Sequence, residues 1–350
     1  MIRESIEKLV RHQDLTEQET AESMNEVMSG QATPAQVAAF ITALRMKGET
    51  IEEITGAARV MREKALQIRV PGVRLVDTCG TGGDGVGTFN ISTATAFVVA
   101  AMGLSVAKHG NRAISSRCGS ADVLEVLGVQ VDLEPQMVEE CIREVGIGFL
   151  FAPKFHGAMK YAAGPRKEIG IRTIFNVLGP LTNPAGAEIQ LLGVYDADLA
   201  RKLAHALHRL GGKAAYVVYG AGGLDELTLA GHNLIMRISE QGVEGFSLCA
   251  ADVGLAEAPV EALLGGSPAK NATIILQVLE GVLGPQRDVV LLNAGATAAA
   301  AGRVATIREG IELAVETIDS GAALSKLKNL IQYSQALVRS IEQKAVLAGK

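Results

Sequence analysis

The chain has 350 residues, of which 48% are hydrophobic and 20% charged, and its formal net charge is −5 at pH 7. These values predict a globular protein with a large buried core and room for two domains. They argue against general nucleic-acid binding, which favours a basic surface, and no apolar run is long enough to cross a bilayer without glycine or charged residues. The chain shows no secretion-signal pattern, and its four cysteines lack metal-binding spacing, so we expect reduced thiols in a cytoplasmic protein.

Three helices with clear start signals are predicted in the first seventy residues. They begin at Thr16, Thr33 and Thr50. Thr16 and Thr50 are followed three residues later by glutamate, which makes a capping box, and Thr33 is followed by proline at the first helical position. No strand pattern interrupts them, so residues 1–72 are predicted to form a small helical domain. Its apolar positions could cover a partner subunit as well as the domain's own core.

From residue 73 onward, strands and helices alternate, which predicts an α/β domain with a central, mostly parallel sheet and helices on both faces. The predicted strands are 74–78, 104–108, 148–151, 189–195 and 214–219, followed by a hairpin of 235–238 with 243–247. A helix is predicted over 197–210, and residues from 267 onward are predicted to be mostly helical.

A polar stretch between the third and fourth strands breaks this alternation. Loops at 164–168 and 178–184 are expected to flank a short helical piece, so that 165–187 would rejoin the helical domain. The α/β domain would then consist of 73–164 and 188–350.

A glycine-rich loop after the first strand is typical of an anion site. Its glycines are Gly80, Gly82, Gly83, Gly85 and Gly87. Without Cβ atoms, the backbone reaches positive φ and brings N–H groups close to a phosphate. The next helix is predicted to start near Ser92, with cap side chains at residues 90–93, and its free N–H groups would face the same anion. Residues 108–117, which begin at the last residue of the second strand, contain basic side chains and no acid, which suits a small polyanion.

The spacing Gly80-x-Gly82-x-x-Gly85 also fits a dinucleotide fingerprint. However, several residues separate Gly85 from the helix, and the second strand ends in Lys108-His109 rather than in an acid that would hold a ribose hydroxyl. An NADP site stays open as an alternative, whereas the Walker pattern fails because no Lys-Ser or Lys-Thr follows the glycines.

Further candidates for chemistry lie outside this loop. Asp225 and Glu226 follow the fifth strand, where two carboxylates could bind Mg²⁺ or form a solvated turn. Arg166 could grip a carboxylate with its planar fork or lie on the surface. Asn111 could bind a substrate amine or carbonyl or only form a turn, and His156 could line the same cleft.

Five segments in this order resemble the anthranilate phosphoribosyltransferase family of tryptophan biosynthesis, over nearly the whole chain. They are Gly80-Thr81-Gly82-Gly83-Asp84, Asn90-Ile91-Ser92-Thr93, Lys108-His109-Gly110-Asn111-Arg112, Arg172-Thr173-Ile174-Phe175-Asn176 through 178–184, and Asp225-Glu226. The resemblance implies a two-domain, nucleoside phosphorylase-like fold and a homodimer formed through the helical domain. It also implies that phosphoribosyl pyrophosphate and anthranilate are the substrates, with two Mg²⁺ ions per subunit and no nucleic-acid or membrane partner.

The resemblance also implies roles for matching positions. Phosphoribosyl pyrophosphate would be bound by Gly80, Gly83, Asp84, Thr88, Asn90, Ile91, Ser92, Thr93, Lys108, His109, Gly110, Asn111, Arg112, Ala113, Ile114, Ser115, Ser116 and Ser120. Anthranilate would be bound by Gly80, Asn111, His156 and Arg166, and Mg²⁺ by Ser92, Asp225 and Glu226. Gly157 departs from the family pattern, in which proline commonly follows the histidine.

The expected reaction is attack of the anthranilate amine on C1 of the ribose while pyrophosphate leaves from the opposite face. An aniline-type nitrogen is neutral near pH 7, so no strong general base is needed, and Lys108 with the loop amides and Mg²⁺ would stabilise the leaving group. Two alternatives are a nucleoside phosphorylase and a non-catalytic nucleic-acid-binding relative. The acidic pair and the glycine loop favour a pyrophosphate donor over the first, and the net charge argues against the second.

Overall fold

The computed structural model of the protein describes residues 1–113 and 117–348. Four helices come first: α1 Ile2–Val10, α2 Glu17–Met28, α3 Pro34–Lys47 and α4 Ile51–Lys64. The three predicted capping threonines are confirmed, since each hydroxyl of Thr16, Thr33 and Thr50 accepts a hydrogen bond from the amide three residues later. The sequence predicted no start for helix α1, because Met1, which precedes the helix, offers no capping side chain.

The remaining helices are distributed along the rest of the chain. They are α5 Ile91–Ala101, α6 Ser120–Val126, α7 Pro135–Val145, α8 Ala152–Phe155, α9 Lys160–Ile169, α10 Phe175–Leu178, α11 Ala197–Arg209, α12 Pro268–Leu279, α13 Pro285–Ala300, α14 Ile307–Asp319 and α15 Ala322–Ala348. Short 3₁₀ helices span Gly157–Met159, Gly179–Leu181, Ala250–Val253 and Val260–Leu263. No helix of the described residues is both long and apolar enough to cross a membrane.

Seven strands form one sheet in the order β3-β2-β1-β4-β5-β6-β7. Their bounds are β1 Leu75–Gly80, β2 Ser105–Gly110, β3 Ile147–Phe151, β4 Ile189–Gly193, β5 Ala214–Tyr219, β6 Asn233–Ser239 and β7 Gly242–Leu248. The first five are parallel to one another, and β6 with β7 is the antiparallel hairpin. The predicted mostly parallel sheet is therefore confirmed, with strand ends that agree with the prediction or differ from it by one or two residues.

Two hydrophobic cores cover the two faces of the sheet. One contains α5, α7 and the C-terminal helices α12 to α15. The other contains α11 together with α2, α3 and α4, because α4 packs directly on α11. The N-terminal bundle therefore continues the second layer of helices, and it shares a core with the sheet.

The predicted loop at 164–168 is wrong, because these residues belong to α9. Pro165 lies inside that helix, where a proline ring normally clashes with the residue before it. That residue is Gly164, which has no Cβ, so this one clash is avoided. Helix α9 packs against α2 and α3, so the described contacts favour its inclusion in the helical domain, but a boundary at residue 165 would cut it in half.

Candidate active site

A cavity of about 840 Å³ opens where β1, β2 and the segment after β5 meet the α9 segment. Of the predicted substrate and metal residues, those that line it are Gly80, Gly83, Asp84, Thr88, Asn90, Ile91, Ser92, Thr93, Lys108, His109, Gly110, Asn111, Arg112, Ala113, Ser120, Arg166, Asp225 and Glu226. Ile114, Ser115 and Ser116 lie outside the described residues. The fold thus brings segments from four parts of the chain into one cleft.

The glycines of the loop are required for two different structural reasons. Gly82, Gly83, Gly85 and Gly87 all have positive φ, between 68° and 81°, which strains any residue with a Cβ. Gly80 is not in this conformation, and a Cβ there would lie 2.2 Å from the Asp225 carboxylate. Gly80 is therefore required by close packing rather than by backbone conformation.

The solvated-turn alternative for the acidic pair is wrong. Glu226 is buried and Asp225 is half-buried. Burial, together with the neighbouring Asp84 carboxylate, raises the pKa of Asp225 to about 7. Burial, together with Asp225, raises the pKa of Glu226 to about 8. The Asp84 carboxylate contributes to the raised pKa of both Asp225 and Glu226, so a cation beside these carboxyl groups is favoured.

Helix α5 is not capped as predicted, because Asn90 makes no cap hydrogen bond. Instead the Ser92 amide donates to Glu226 Oε1 at 3.0 Å. The Asn90 side chain is engaged elsewhere: it donates to the Cys118 carbonyl at 3.2 Å and accepts from Asn271 Nδ2 at 2.9 Å. One backbone amide at the N-terminus of α5, that of Ser92, therefore already donates to a carboxylate.

Lys108 is the buried cation of the site, with 3% of its surface exposed. Its Nζ donates to the Thr78 carbonyl at 2.7 Å and to Ser92 Oγ at 3.3 Å. Burial lowers the pKa of Lys108, and the nearby Asp77 carboxylate is the main group that opposes this lowering. An ammonium group has three donors, so one remains for an anion in the cleft.

The two predicted histidines lie together, with ring centroids 5.1 Å apart. His109 lines the cavity, whereas His156 is not among the lining residues and lies behind it. Burial lowers the pKa of His109 to about 3 and that of His156 to about 4, so both rings are neutral near pH 7. A Cβ at Gly157 would meet no atom within 4 Å, so no described residue packs against this position.

The wall opposite the glycine loop carries two arginines stacked on aromatic rings. Arg166 lies 5.1 Å from the Phe175 ring centroid and Arg172 lies 4.7 Å from that of Tyr195. Burial alone lowers the pKa of Arg166, since no charged neighbour contributes. Arg166 is half-buried and lines the cavity, which argues against the surface alternative. Among the described residues its guanidinium keeps donors available for a ligand.

Arg172 was missed as a site residue. Its guanidinium donates to the Gly83 carbonyl across the cleft. The two residues are 89 positions apart, and no spacing in the sequence connects them.

No three His, Cys, Asp or Glu side chains of the described residues form a ready-made metal cluster. Asp225 Oδ2 accepts from the Gly82 amide at 2.6 Å, and Glu226 Oε1 accepts from the Ser92 amide, which leaves one oxygen on each carboxylate. This arrangement fits Mg²⁺, which in proteins commonly takes one or two carboxylates and completes its shell with water and substrate phosphates.

Family models match both parts of the chain. A helical bundle domain of a glycosyl transferase family matches residues 3–65, and the a/b domain of that family matches residues 72–324. Anthranilate phosphoribosyltransferase of Geobacter sulfurreducens is 56% identical over 345 residues, covering 95% of this chain and 99% of the relative. The chain belongs to the anthranilate phosphoribosyltransferase family. This confirms the resemblance found in the sequence and argues against the alternative of an NADP-binding site.

Solved anthranilate phosphoribosyltransferases have the same fold. The Thermus thermophilus enzyme has a TM-score of 0.89 at 45% identity, covering 95% of this chain and 99% of its own. The Saccharomyces cerevisiae enzyme in complex with PRPP and Mg has a TM-score of 0.88 at 30% identity, covering 96% and 98%. The yeast enzyme in complex with 4-fluoroanthranilate has a TM-score of 0.86 at 29% identity, covering 96% and 98%.

Proposed function

We propose that this protein transfers the phosphoribosyl group of phosphoribosyl pyrophosphate to the amine of anthranilate and releases pyrophosphate, a step of tryptophan biosynthesis. The observation that carries the proposal is the meeting of the glycine loop, the buried Lys108 and the acidic pair in one cavity. A relative whose structure contains PRPP and Mg supports the donor, and one with 4-fluoroanthranilate supports the acceptor.

The donor would lie against the glycine loop and the start of α5. Lys108 would place its free N–H against the pyrophosphate, and Ser92 would be held beside it by the 3.3 Å hydrogen bond. Ser92, Asp225 and Glu226 would hold two Mg²⁺ ions per subunit. Bound Mg²⁺ would neutralise charge on the leaving pyrophosphate. Since like-charged carboxylates destabilise one another here, the site is arranged for a cation before any substrate arrives.

The acceptor would lie against the opposite wall. The Arg166 fork would bind the anthranilate carboxylate in a bidentate way, and stacking on Phe175 holds that fork in place. Asn111, Gly80 and His156 complete the predicted anthranilate set. His109 and His156 are neutral, so neither ring would supply a proton near pH 7. In-line placement of the amine and C1 would then provide the main acceleration, with inversion at C1.

We further propose a homodimer through the helical domain and a cytoplasmic location. Val10 at the end of α1 and Met46 near the end of α3 are 62% and 75% exposed, which supports an apolar contact on that bundle. All four cysteines are free thiols, which suits a reducing compartment.

The decisive experiment is the loss of anthranilate fluorescence when phosphoribosyl pyrophosphate and Mg²⁺ are added to the purified protein. We expect fluorescence to fall only when protein, donor and Mg²⁺ are all present. Arg166→Ala should raise the KM for anthranilate more than the KM for the donor. Stable fluorescence with folded protein would overturn the proposal, and orthophosphate-dependent cleavage of a pyrimidine nucleoside instead would favour the phosphorylase alternative.

A further inference from the structure

The sheet is split beneath the cavity. The pairing of β1 with β2 ends at Val76 and Val106. Beyond that point β1 continues to pair with β4 as far as Gly80, and β2 continues to pair with β3 as far as Gly110. The C-terminal halves of β1 and β2 therefore separate although both strands continue, and their facing backbone groups need other partners.

Two buried side chains supply those partners. Asp77 Oδ1 accepts from the His109 amide at 3.2 Å, and Asp77 Oδ2 accepts from Asn183 Nδ2 at 2.8 Å. Asn183 Nδ2 also donates to the Ala107 carbonyl at 2.8 Å. Asp77 is fully buried and Asn183 is 6% exposed. The amide of β2 at residue 109 and its carbonyl at residue 107 are thus satisfied by side chains placed between the strands.

Lys108 crosses the same gap. It lies between the two residues of β2 that Asp77 and Asn183 hold, and its Nζ reaches the Thr78 carbonyl of β1 at 2.7 Å. The same Nζ is 3.3 Å from Ser92 Oγ at the start of α5. The width of the split therefore sets where the ammonium group lies relative to the cavity.

We propose that Asp77 and Asn183 are positioning residues that hold β2 away from β1 and so place Lys108 beside Ser92 in the cavity. The expected effect on the reaction rate rests on the proposed function, whereas the structural role of the two residues does not. A carboxylate suits position 77 because both of its neighbours are donors, and an asparagine there would set its own NH₂ group against one of them.

The split is also connected to the helical bundle. Asn183 belongs to the segment that returns from the α9 and α10 region to the sheet. Two residues earlier, the Leu181 carbonyl accepts from Arg62 of α4 at 2.6 Å. A change in how the bundle sits on this segment would therefore be transmitted to Asn183, Asp77 and the lysine-bearing end of β2.

The test compares four variants by steady-state kinetics and by hydrogen exchange of the His109 amide. Asp77→Asn and Asn183→Ala each break part of the bridge. The double variant Asp77→Asn with Asn183→Asp rebuilds the pair between these two side chains in the opposite sense, but the carboxylate introduced at position 183 cannot donate to the Ala107 carbonyl. Ser334→Ala is the control, because Ser334 of α15 is buried away from the lining residues and its Oγ accepts a partly buried hydrogen bond from the Gln130 amide at 3.2 Å.

We expect Asp77→Asn to lower kcat on the order of 100-fold, since displacing a catalytic group by about 1 Å can cost that much, with both KM values changed less than about threefold. Because the double variant restores only the pair between residues 77 and 183 and leaves the Ala107 carbonyl without its donor, its kcat should stay at least about tenfold below that of wild type. If Asp77→Asn does not fold, Asn183→Ala gives the same test. A kcat within about threefold of wild type in both single variants would overturn the proposal, as would an equal loss of kcat in Ser334→Ala.

Hydrogen exchange separates this proposal from the proposed function. The His109 amide should exchange faster in Asp77→Asn than in wild type, with no substrate present, because its acceptor is weakened. Unchanged exchange would overturn the positioning role even in an active enzyme. Wild-type protein that consumes no anthranilate would overturn the proposed function, while faster exchange in the variant would still support the bridge.

Discussion

Acidification should destabilise this protein through His156, which is 6% exposed and whose burial lowers its pKa from 6.5 to about 4. The folded state binds fewer protons than the unfolded state between these two pKa values, so stability is lost as the pH falls. Between pH 7 and pH 5 the unfolded ring becomes protonated while the folded ring stays neutral. At 1.36 kcal/mol per pKa unit, this lowers the free energy of unfolding by about 2 kcal/mol.

The perturbation that isolates this effect is His156→Asn, because asparagine is polar but does not titrate. Urea denaturation of wild type and variant at pH 7 and pH 5, at one protein concentration, gives four free energies of unfolding. The variant loses packing at both pH values, so only the difference between the two pH dependences is interpreted. We expect wild type to lose about 2 kcal/mol more than the variant on going from pH 7 to pH 5.

His205→Asn provides the matched control, since His205 lies exposed on α11. This control should leave the pH dependence of the wild type in place. Equal pH dependences for wild type and His156→Asn would refute the reasoning, because they would mean that the buried ring accepts a proton without cost. His109, which contacts His156, should behave in the same direction when replaced by asparagine.

Three further predictions concern the walls of the cleft and the bundle. Arg166→Lys keeps the charge but loses the planar fork, so the KM for anthranilate should rise about tenfold while that for the donor changes little; equal rises would contradict the assignment. Gly80→Ala would place a methyl group 2.2 Å from Asp225 Oδ2, so calorimetry should show that this variant binds the donor with Mg²⁺ more weakly. Gly157→Ala is the control, because its methyl group would meet no atom within 4 Å, and it should bind the donor as wild type does. Arg62 donates to the Leu181 and Leu210 carbonyl oxygens at 2.6 and 3.0 Å, and Arg62→Met leaves both oxygens unpaired. Urea denaturation should therefore show that the free energy of unfolding falls by about 2 to 4 kcal/mol. An unchanged denaturation midpoint would count against this prediction.

Local patterns determined a large part of the fold. Capping threonines, alternating apolar residues and the glycine loop act over a few residues, so the sequence alone is enough to recognise them. The seven strands, the three capped helices and the position of the acidic pair after β5 were predicted in this way. The family itself was recognised from five such segments in order.

Contacts between distant segments were decided only by the tertiary structure. The cap of α5 comes from Glu226, 134 residues away from Ser92, and the partner of Asp77 comes from Asn183, 106 residues away. No propensity or spacing encodes such a pair, because each side chain is an ordinary residue until the sheet brings the two together. Burial has the same origin: the pKa values of His156 and Glu226 depart from their usual range only because folding removes water from around them.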